Sequence, residues 1–543
     1  MWPNCCARST ASRSLERAGH GAQDCLHPTH VKRHHSAPDR GLEFLGLRVH
    51  RTVFPLAVAL IVLAVIAALL DPVAFNAYVA RLRGGILQHF DSFIMIMGNL
   101  FVVMCLLLAL SPLGRVRLGG PQAQPQFGFV SWFSMLFAAG MGVGLLYWGV
   151  AEPVAAYTGW PDTPLNVVPR TPAAAHAAMG SALFHWGLHP WAVYLVTALV
   201  VGYFAYNRGL PLAMSSALSP LIGHRHAGPI GQGVDIFTVV LTTFGLATSL
   251  GLGAMQSAAG MHLILGTPDG LVMQGLFIAA VCLTAGYSVW TGIEVGILRL
   301  SNLNMALAIL LLAFCAVGMG IGAYLTGLLV ALADYARLIL PLSDWRLRPD
   351  TDWYHAWTVY YWAWWCSWGP LVGVFIARVS RGRSIRQMVG VVMVAPAAFA
   401  ALWFTAFGGG AIKQVIASTG PLTGGVQDVN MAIFQFLGQL PLSAITSLLV
   451  VLLLVIFTVT SVDSGALVAD NLASNGRTDT PRPQRVLWVF LIGLVATTLL
   501  VLGGDTGLKG LQSATIVMAL PYLALMAVLI TGLIKALLQD RLR

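Results

Sequence analysis

Charge is missing from this chain over repeated stretches of about 20 residues, and a helix of that length crosses roughly 30 Å of hydrocarbon. Residues 53–70 (VFPLAVALIVLAVIAALL) and 388–409 contain no Asp, Glu, Lys or Arg. Over all 543 residues 10% are charged and 57% hydrophobic, with a mean hydropathy of +0.77. A soluble globular protein carries about a quarter charged residues. Length therefore does not imply several soluble domains, and lipid is the solvent for most of the chain.

Apolar spans are read at 52–70, 92–111, 130–150, 176–206, 234–264, 271–290, 301–332, 356–377, 388–409, 443–470, 484–503 and 510–537. This gives an all-α integral membrane fold of about twelve transmembrane helices. The net charge of +10 does not point to nucleic acid, because the basic residues sit in short runs between spans. Arg115 and Arg117, then Arg208 and Arg225, then Arg378, Arg381, Arg383 and Arg386, then Arg477, Arg482 and Arg485 fall in loops on the side of the termini. The opposite loops carry Glu152, Asp162, Asp269, Asp344, Asp350, Asp352 and Asp428. The positive-inside rule then places both termini in the cytoplasm and the chain in the plasma (inner) membrane.

Residues 1–50 lack an apolar core for a signal peptide and are expected to be a disordered cytoplasmic tail, leaving 51–543 as the membrane domain. His27, His30, His34 and His35 cluster there, but without the flanking ligands of a metal site. The seven cysteines imply no disulfide framework. Residues 331–352 mix apolar and charged positions, as expected for a helix lying on the outer membrane surface or for a connecting loop.

The third span contains Gly140, Gly142 and Gly144 at alternate positions. Each glycine weakens a helix by up to about 1 kcal/mol relative to alanine. Small residues ordinarily mark close helix packing. The eighth span, five helices later, carries Ser367-Trp368-Gly369-Pro370, where proline removes a backbone donor. Two interrupted helices five spans apart fit two inverted five-helix repeats, about 130–332 and 356–537, preceded by two helices.

Tryptophans concentrate on two spans: Trp186 and Trp191, with Tyr194, on the fourth, and Trp362, Trp364, Trp365 and Trp368 on the eighth. Read as one helix at about 100° per residue, the first three share one wall. Interfacial anchoring accounts for Trp353 and Trp357 but poorly for mid-span Trp186 and Trp365. A quaternary ammonium cannot donate an N–H hydrogen bond, so an aromatic cage is its natural receptor. His185 and His189 have the spacing of a zinc pair without the glutamate of a hydrolytic motif. Glu152, just after the third span, is expected at the outer interface.

The tenth span holds Phe457-Thr458-Val459-Thr460-Ser461-Val462-Asp463-Ser464-Gly465. Hydroxyls in apolar helices commonly bond back to their own carbonyls. A sodium ion would take the same hydroxyls together with carbonyls of a broken helix. Asp463 is costly in lipid unless it faces protein or water, and it also fits as a helix cap near the membrane edge.

At these residues the sequence resembles the betaine/carnitine/choline transporter family from about residue 45 onward. The resemblance rests on FSMLFAAGMGVGLLYWGVAEP (133–153), HWGLHPWAVY (185–194), FGLATSLGLGAMQ (244–256), WTVYYWAWWCSWGPLVGVFIARVSRGR (357–383) and FTVTSVDSG (457–465). It implies a LeuT-type five-plus-five inverted repeat, alternating access and a homotrimer in lipid. It implies an aromatic box of Trp186, Trp191, Tyr194 and Trp365, with Trp364 and Trp368 on the transport path and Ala139, Gly140, Met141 and Gly144 of the glycine stretch facing substrate. The main sodium site maps to carbonyls of Ala138, Met141 and Phe457 and hydroxyls of Thr460 and Ser461.

The family's second sodium site pairs two threonines four apart on the fifth span. Here Thr242 is followed by Leu246, which leaves that site in question, with Thr243 or Thr248 as substitutes or fewer ions per cycle. Choline-carrying relatives place aspartate where Gly144 stands, which favours a zwitterion and sodium coupling. The expected activity is sodium-coupled import of a quaternary-ammonium solute, glycine betaine first, with sodium as coupling ion and no other cofactor. The alternative is proton-coupled or exchange transport of choline, carnitine or a sulfonium analogue. An embedded enzyme would need convergent acid, base, nucleophile or metal residues, and a channel a ring-forming selectivity motif; neither pattern is present in the sequence.

Overall fold

The computed structural model describes residues 41–541 apart from 45, 141, 293, 347, 478 and 504–506. A two-stranded antiparallel hairpin, β1 (Gly41–Phe44) and β2 (Leu47–His50), precedes the helices, so residues 41–50 have structure where a tail was expected. The long helices follow as α1 (Val53–Leu70), α2 (Pro72–Leu110), α3 (Phe129–Gly140), α4 (Val143–Thr158), α5 (Pro172–Trp186) and α6 (Leu188–Arg208). Then come α7 (Pro229–Leu265), α8 (Leu271–Thr291), α9 (Glu294–Met319), α10 (Ile321–Ser343) and α11 (Tyr360–Val379). The chain ends with α12 (Ile385–Ile416), α13 (Ser443–Ala473), α14 (Arg482–Gly503) and α15 (Gly507–Arg541).

Local chemistry sets many of these ends. At α2, Asp71 accepts a hydrogen bond from the Ala74 N–H at 2.9 Å and Pro72 occupies the first turn, where no backbone donor is needed. Thr171 and Pro172 do the same for α5. The expected seventh span, 301–332, is divided at Gly320, whose φ of +88° is accessible to glycine and ends α9 before α10 begins. The segment 331–352, expected to be a surface helix or a loop, is therefore helical over 331–343 as part of α10, which begins at Ile321. α10 packs along α5.

Among the described residues, eleven helices are long and apolar enough to cross a membrane. The broken third span and the Trp/Tyr-rich eighth fall outside that set, and α10 falls inside it. The protein is an all-α multi-pass membrane protein.

Two expectations about helix breaks change. The eighth span is not interrupted at Pro370: α11 is helical through it. Neighbouring helices clamp it instead. A Cβ on Gly369 would lie 2.4 Å from the Tyr522 hydroxyl of α15, one on Gly373 2.6 Å from Thr197 of α6, and one on Gly245 of α7 2.6 Å from the Ser367 carbonyl. Such close packing is the ordinary use of small residues in membranes, and here it offsets the missing donor of proline. The irregularity of this span lies earlier, in a π-helical turn at Tyr354–Val359. Conversely, the fourth span does break, at Gly187 (φ −90°, ψ −126°), between α5 and α6.

Candidate substrate and ion sites

The third span breaks where its glycines alternate. α3 ends at Gly140, Gly142 is fully extended (φ −160°, ψ 177°) and α4 starts at Val143. Met141 lies outside the described residues. Helix geometry leaves the last carbonyls of α3, at Ala138, Ala139 and Gly140, and the N–H groups of Val143 and Gly144 at the start of α4 without partners in their own helices, while the Leu145 N–H donates to the Gly142 carbonyl at 3.2 Å. A carbonyl end favours a cation and an N–H end favours an anion. One break thus presents both polarities within a few residues.

The tryptophans gather beside this break. Trp186 is the last residue of α5, and Trp191 and Tyr194 lie beyond Gly187 on α6, so the single-helix arc predicted from sequence does not describe them. The fold still brings them together through Trp365. Trp186 meets Trp365 edge-to-face at 4.8 Å between ring centroids, Tyr194 meets Trp365 at 6.3 Å, and Trp191 meets Tyr194 at 5.5 Å. All four are buried. Trp364 stacks on Trp365 at 4.9 Å, and Gly144 fits beneath it: a Cβ there would lie 2.7 Å from both Trp186 Cη2 and Trp364 Cη2. Trp368 is not part of this ring cluster. Its indole donates to the Gly245 carbonyl of α7 at 3.1 Å.

Tyr361 was missed by the sequence reading. It stacks on Trp365 at 5.8 Å and meets Trp186 at 5.6 Å, adding a sixth aromatic residue to the assembly. Its spacing one helical turn before Trp365 was the available signal. Glu152, expected at the outer interface, is 1% exposed and enclosed by protein, and three donors converge on it: His185 Nδ1 lies 2.6 Å from Oε1, while Trp186 Nε1 and the Tyr361 hydroxyl donate to Oε2 at 2.9 and 2.6 Å. His185 Nε2 meets the Thr358 hydroxyl at 2.9 Å, and the His185 carbonyl accepts the Trp365 indole N–H at 3.0 Å. His189 instead faces Asn99 Oδ1 at 3.2 Å and stacks on Trp362. Gly187 separates the two histidines, and their partners differ.

On α13, Thr460 donates to the Ile456 and Phe457 carbonyls at 2.8 and 3.1 Å, which engages its hydrogen and leaves oxygen lone pairs for a cation. Ser461 is partly buried one residue on, and Phe457 is buried. α13 packs against α4. Gly253 of α7 marks their approach: a Cβ there would meet Thr458 Oγ1 at 2.8 Å and Val143 Cγ1 at 3.6 Å. Asp463 is 2% exposed. Thr242 is buried and donates to the Thr238 carbonyl at 2.8 Å. Leu246, one turn on, packs its methyl groups against Gly465 of α13. That position offers hydrocarbon where a second ion would need oxygen. Thr243 and Thr248 donate to their own helix, and Thr248 also contacts the Thr515 hydroxyl at 3.3 Å.

Comparison with known proteins agrees with this architecture. The profile of the BCCT, betaine/carnitine/choline family transporter, matches residues 52–542. Glycine betaine transporter 1 of Vibrio parahaemolyticus is 45% identical over 91% of this chain and 95% of its own length. A glycine betaine/proline/choline/ectoine transporter of the same organism is 41% identical over 91% of this chain and 88% of its own. The glycine betaine transporter OpuD of Bacillus subtilis is 36% identical over 90% of this chain and 95% of its own. The chain belongs to the betaine/carnitine/choline family and is a transporter rather than an enzyme.

Proposed function

We propose that this protein is a secondary active symporter that imports glycine betaine together with sodium. The reading is carried by one juxtaposition: the buried aromatics Trp186 and Trp364 close directly over Gly144, in the first turn after the broken third span. Trp186, Trp191, Tyr194 and Trp365 form the receptor for the trimethylammonium group, which each ring face attracts by about 0.5–2 kcal/mol. The N-terminal end of α4 receives the carboxylate, because unpaired N–H groups and the helix dipole favour an anion there. Trp364 Nε1, buried and without a partner among the described residues, is a further donor for it.

Sodium is held by the Ala138 carbonyl at the end of α3 and by Phe457, Thr460 and Ser461 of α13, with the Met141 carbonyl, outside the described residues, as the further ligand that the family resemblance implies. The leucine at 246 argues for fewer coupling ions than a two-threonine site would carry. In this reading the domain 51–543 alternates access between two inverted repeats, with both termini cytoplasmic in the inner membrane, and assembles as a homotrimer. Uptake of this kind serves osmoprotection. The names of the three relatives all include glycine betaine, which supports the substrate. One of them also names choline, and choline is therefore the second reading.

Intrinsic tryptophan fluorescence of the purified protein tests the substrate. Glycine betaine is expected to change emission saturably and at lower concentration than choline, carnitine or dimethylsulfoniopropionate, and sodium is expected to tighten its binding. A response to choline that is tighter than to betaine transfers the function to the second reading.

A further inference from the structure

The residues proposed to hold substrate do not hold themselves in place. Trp186 stands at the last position of α5, immediately before the Gly187 break, where no following helical turn fixes its side chain. Tyr361 touches Trp186, Trp364 and Trp365 by its ring, yet none of these contacts orients its hydroxyl. What orients both is one carboxylate: Glu152 Oε2 accepts from Trp186 Nε1 at 2.9 Å and from the Tyr361 hydroxyl at 2.6 Å. Its other oxygen is 2.6 Å from His185 Nδ1, with His185 Nε2 braced by Thr358. Three donors on two oxygens suit a group that only accepts. Glu152 and His185 are 1% and 0% exposed, and this arrangement lies on α4, two turns beyond the break.

We propose that Glu152 is a positioning residue of the substrate site, which fixes the Trp186 indole and the Tyr361 phenol so that their ring faces receive the trimethylammonium group. A hydrogen bond from the phenol to a carboxylate also draws electron density onto the ring, and an electron-rich ring holds a cation better. Glu152 acts through these two rings and does not touch the substrate. The role rests on the betaine reading above.

The test compares glycine betaine binding, by tryptophan fluorescence, and uptake kinetics for wild type, Glu152→Gln, Tyr361→Phe and the double variant. Glutamine keeps the shape but is neutral and has a single acceptor oxygen, so it holds Trp186 and Tyr361 less strongly where that oxygen faces them and leaves both without an acceptor where it faces His185. Glu152→Gln is expected to raise Kd and KM about tenfold with a much smaller change in maximal uptake, and Tyr361→Phe to raise them about threefold. Because Tyr361 is oriented by Glu152, adding Tyr361→Phe to Glu152→Gln is expected to cost nothing further. A merely structural role would instead lower the amount of folded protein and maximal uptake while leaving KM alone. Losses that add, or a Glu152→Gln protein that binds betaine like the wild type, overturn the role and leave the transport function standing. A wild type that does not respond to betaine overturns both. Where Glu152→Gln does not fold, Tyr361→Phe alone decides, and unchanged betaine affinity in that variant contradicts the proposal.

Discussion

Gly144 and Trp186 touch so closely that no side chain fits between them: a Cβ at 144 would stand 2.7 Å from the indole Cη2. Gly144→Ala should therefore displace Trp186 or Trp364, at a cost of about 1–3 kcal/mol typical of overpacking. The expected outcome is betaine affinity lowered by tenfold or more in a protein that still folds. Gly144→Asp should lower it further. Fluorescence titration checks both, and wild-type affinity in Gly144→Ala would show that the rings do not close on this glycine.

Trp365 stacks on Trp364 and Tyr361 and meets Trp186 edge-on, so it is the aromatic residue with contacts to every other part of the box except Trp191. Trp365→Leu should weaken betaine binding by about 1 kcal/mol or more through loss of a cation-π contact. Unchanged affinity in the folded variant would remove Trp365 from the site.

Thr460→Ala combined with Ser461→Ala should raise the sodium concentration that gives half-maximal uptake, since two oxygen ligands are lost from the proposed ion site. Betaine affinity at saturating sodium should change little. An unaltered sodium dependence places the ion elsewhere.

The clamp that keeps α11 helical through Pro370 can be loosened. Gly245→Ala would put a methyl carbon 2.6 Å from the Ser367 carbonyl, a backbone atom that cannot swing away. Thermal unfolding in detergent should shift to lower temperature, by about 1–3 kcal/mol of destabilisation. A variant as stable as wild type would mean that α7 and α11 are not held this tightly.

These residues also separate what local sequence carries from what it does not. Three alternating glycines lower helix stability enough to mark the third-span break, and the tryptophans on the fourth and eighth spans do meet. Gly187 gave no such warning, because a lone glycine inside His-Trp-Gly-Leu-His is tolerated by many helices; only the fold shows α5 ending there. Pro370 gave a false one, since its effect depends on Tyr522, Thr197 and Gly245, all more than 100 positions away in sequence. Glu152 was unreadable for the same reason. A carboxylate at the end of an apolar run looks like an interface residue until His185, Trp186 and Tyr361 are brought to it by the packing of α4, α5 and α11.

Uptake of labelled glycine betaine into proteoliposomes tests the account most directly. With an inward sodium gradient, betaine should accumulate above its external concentration, and accumulation should vanish when sodium is replaced by potassium or equal on both sides. Accumulation that ignores sodium, or choline accumulated in preference to betaine under the same gradient, would contradict it.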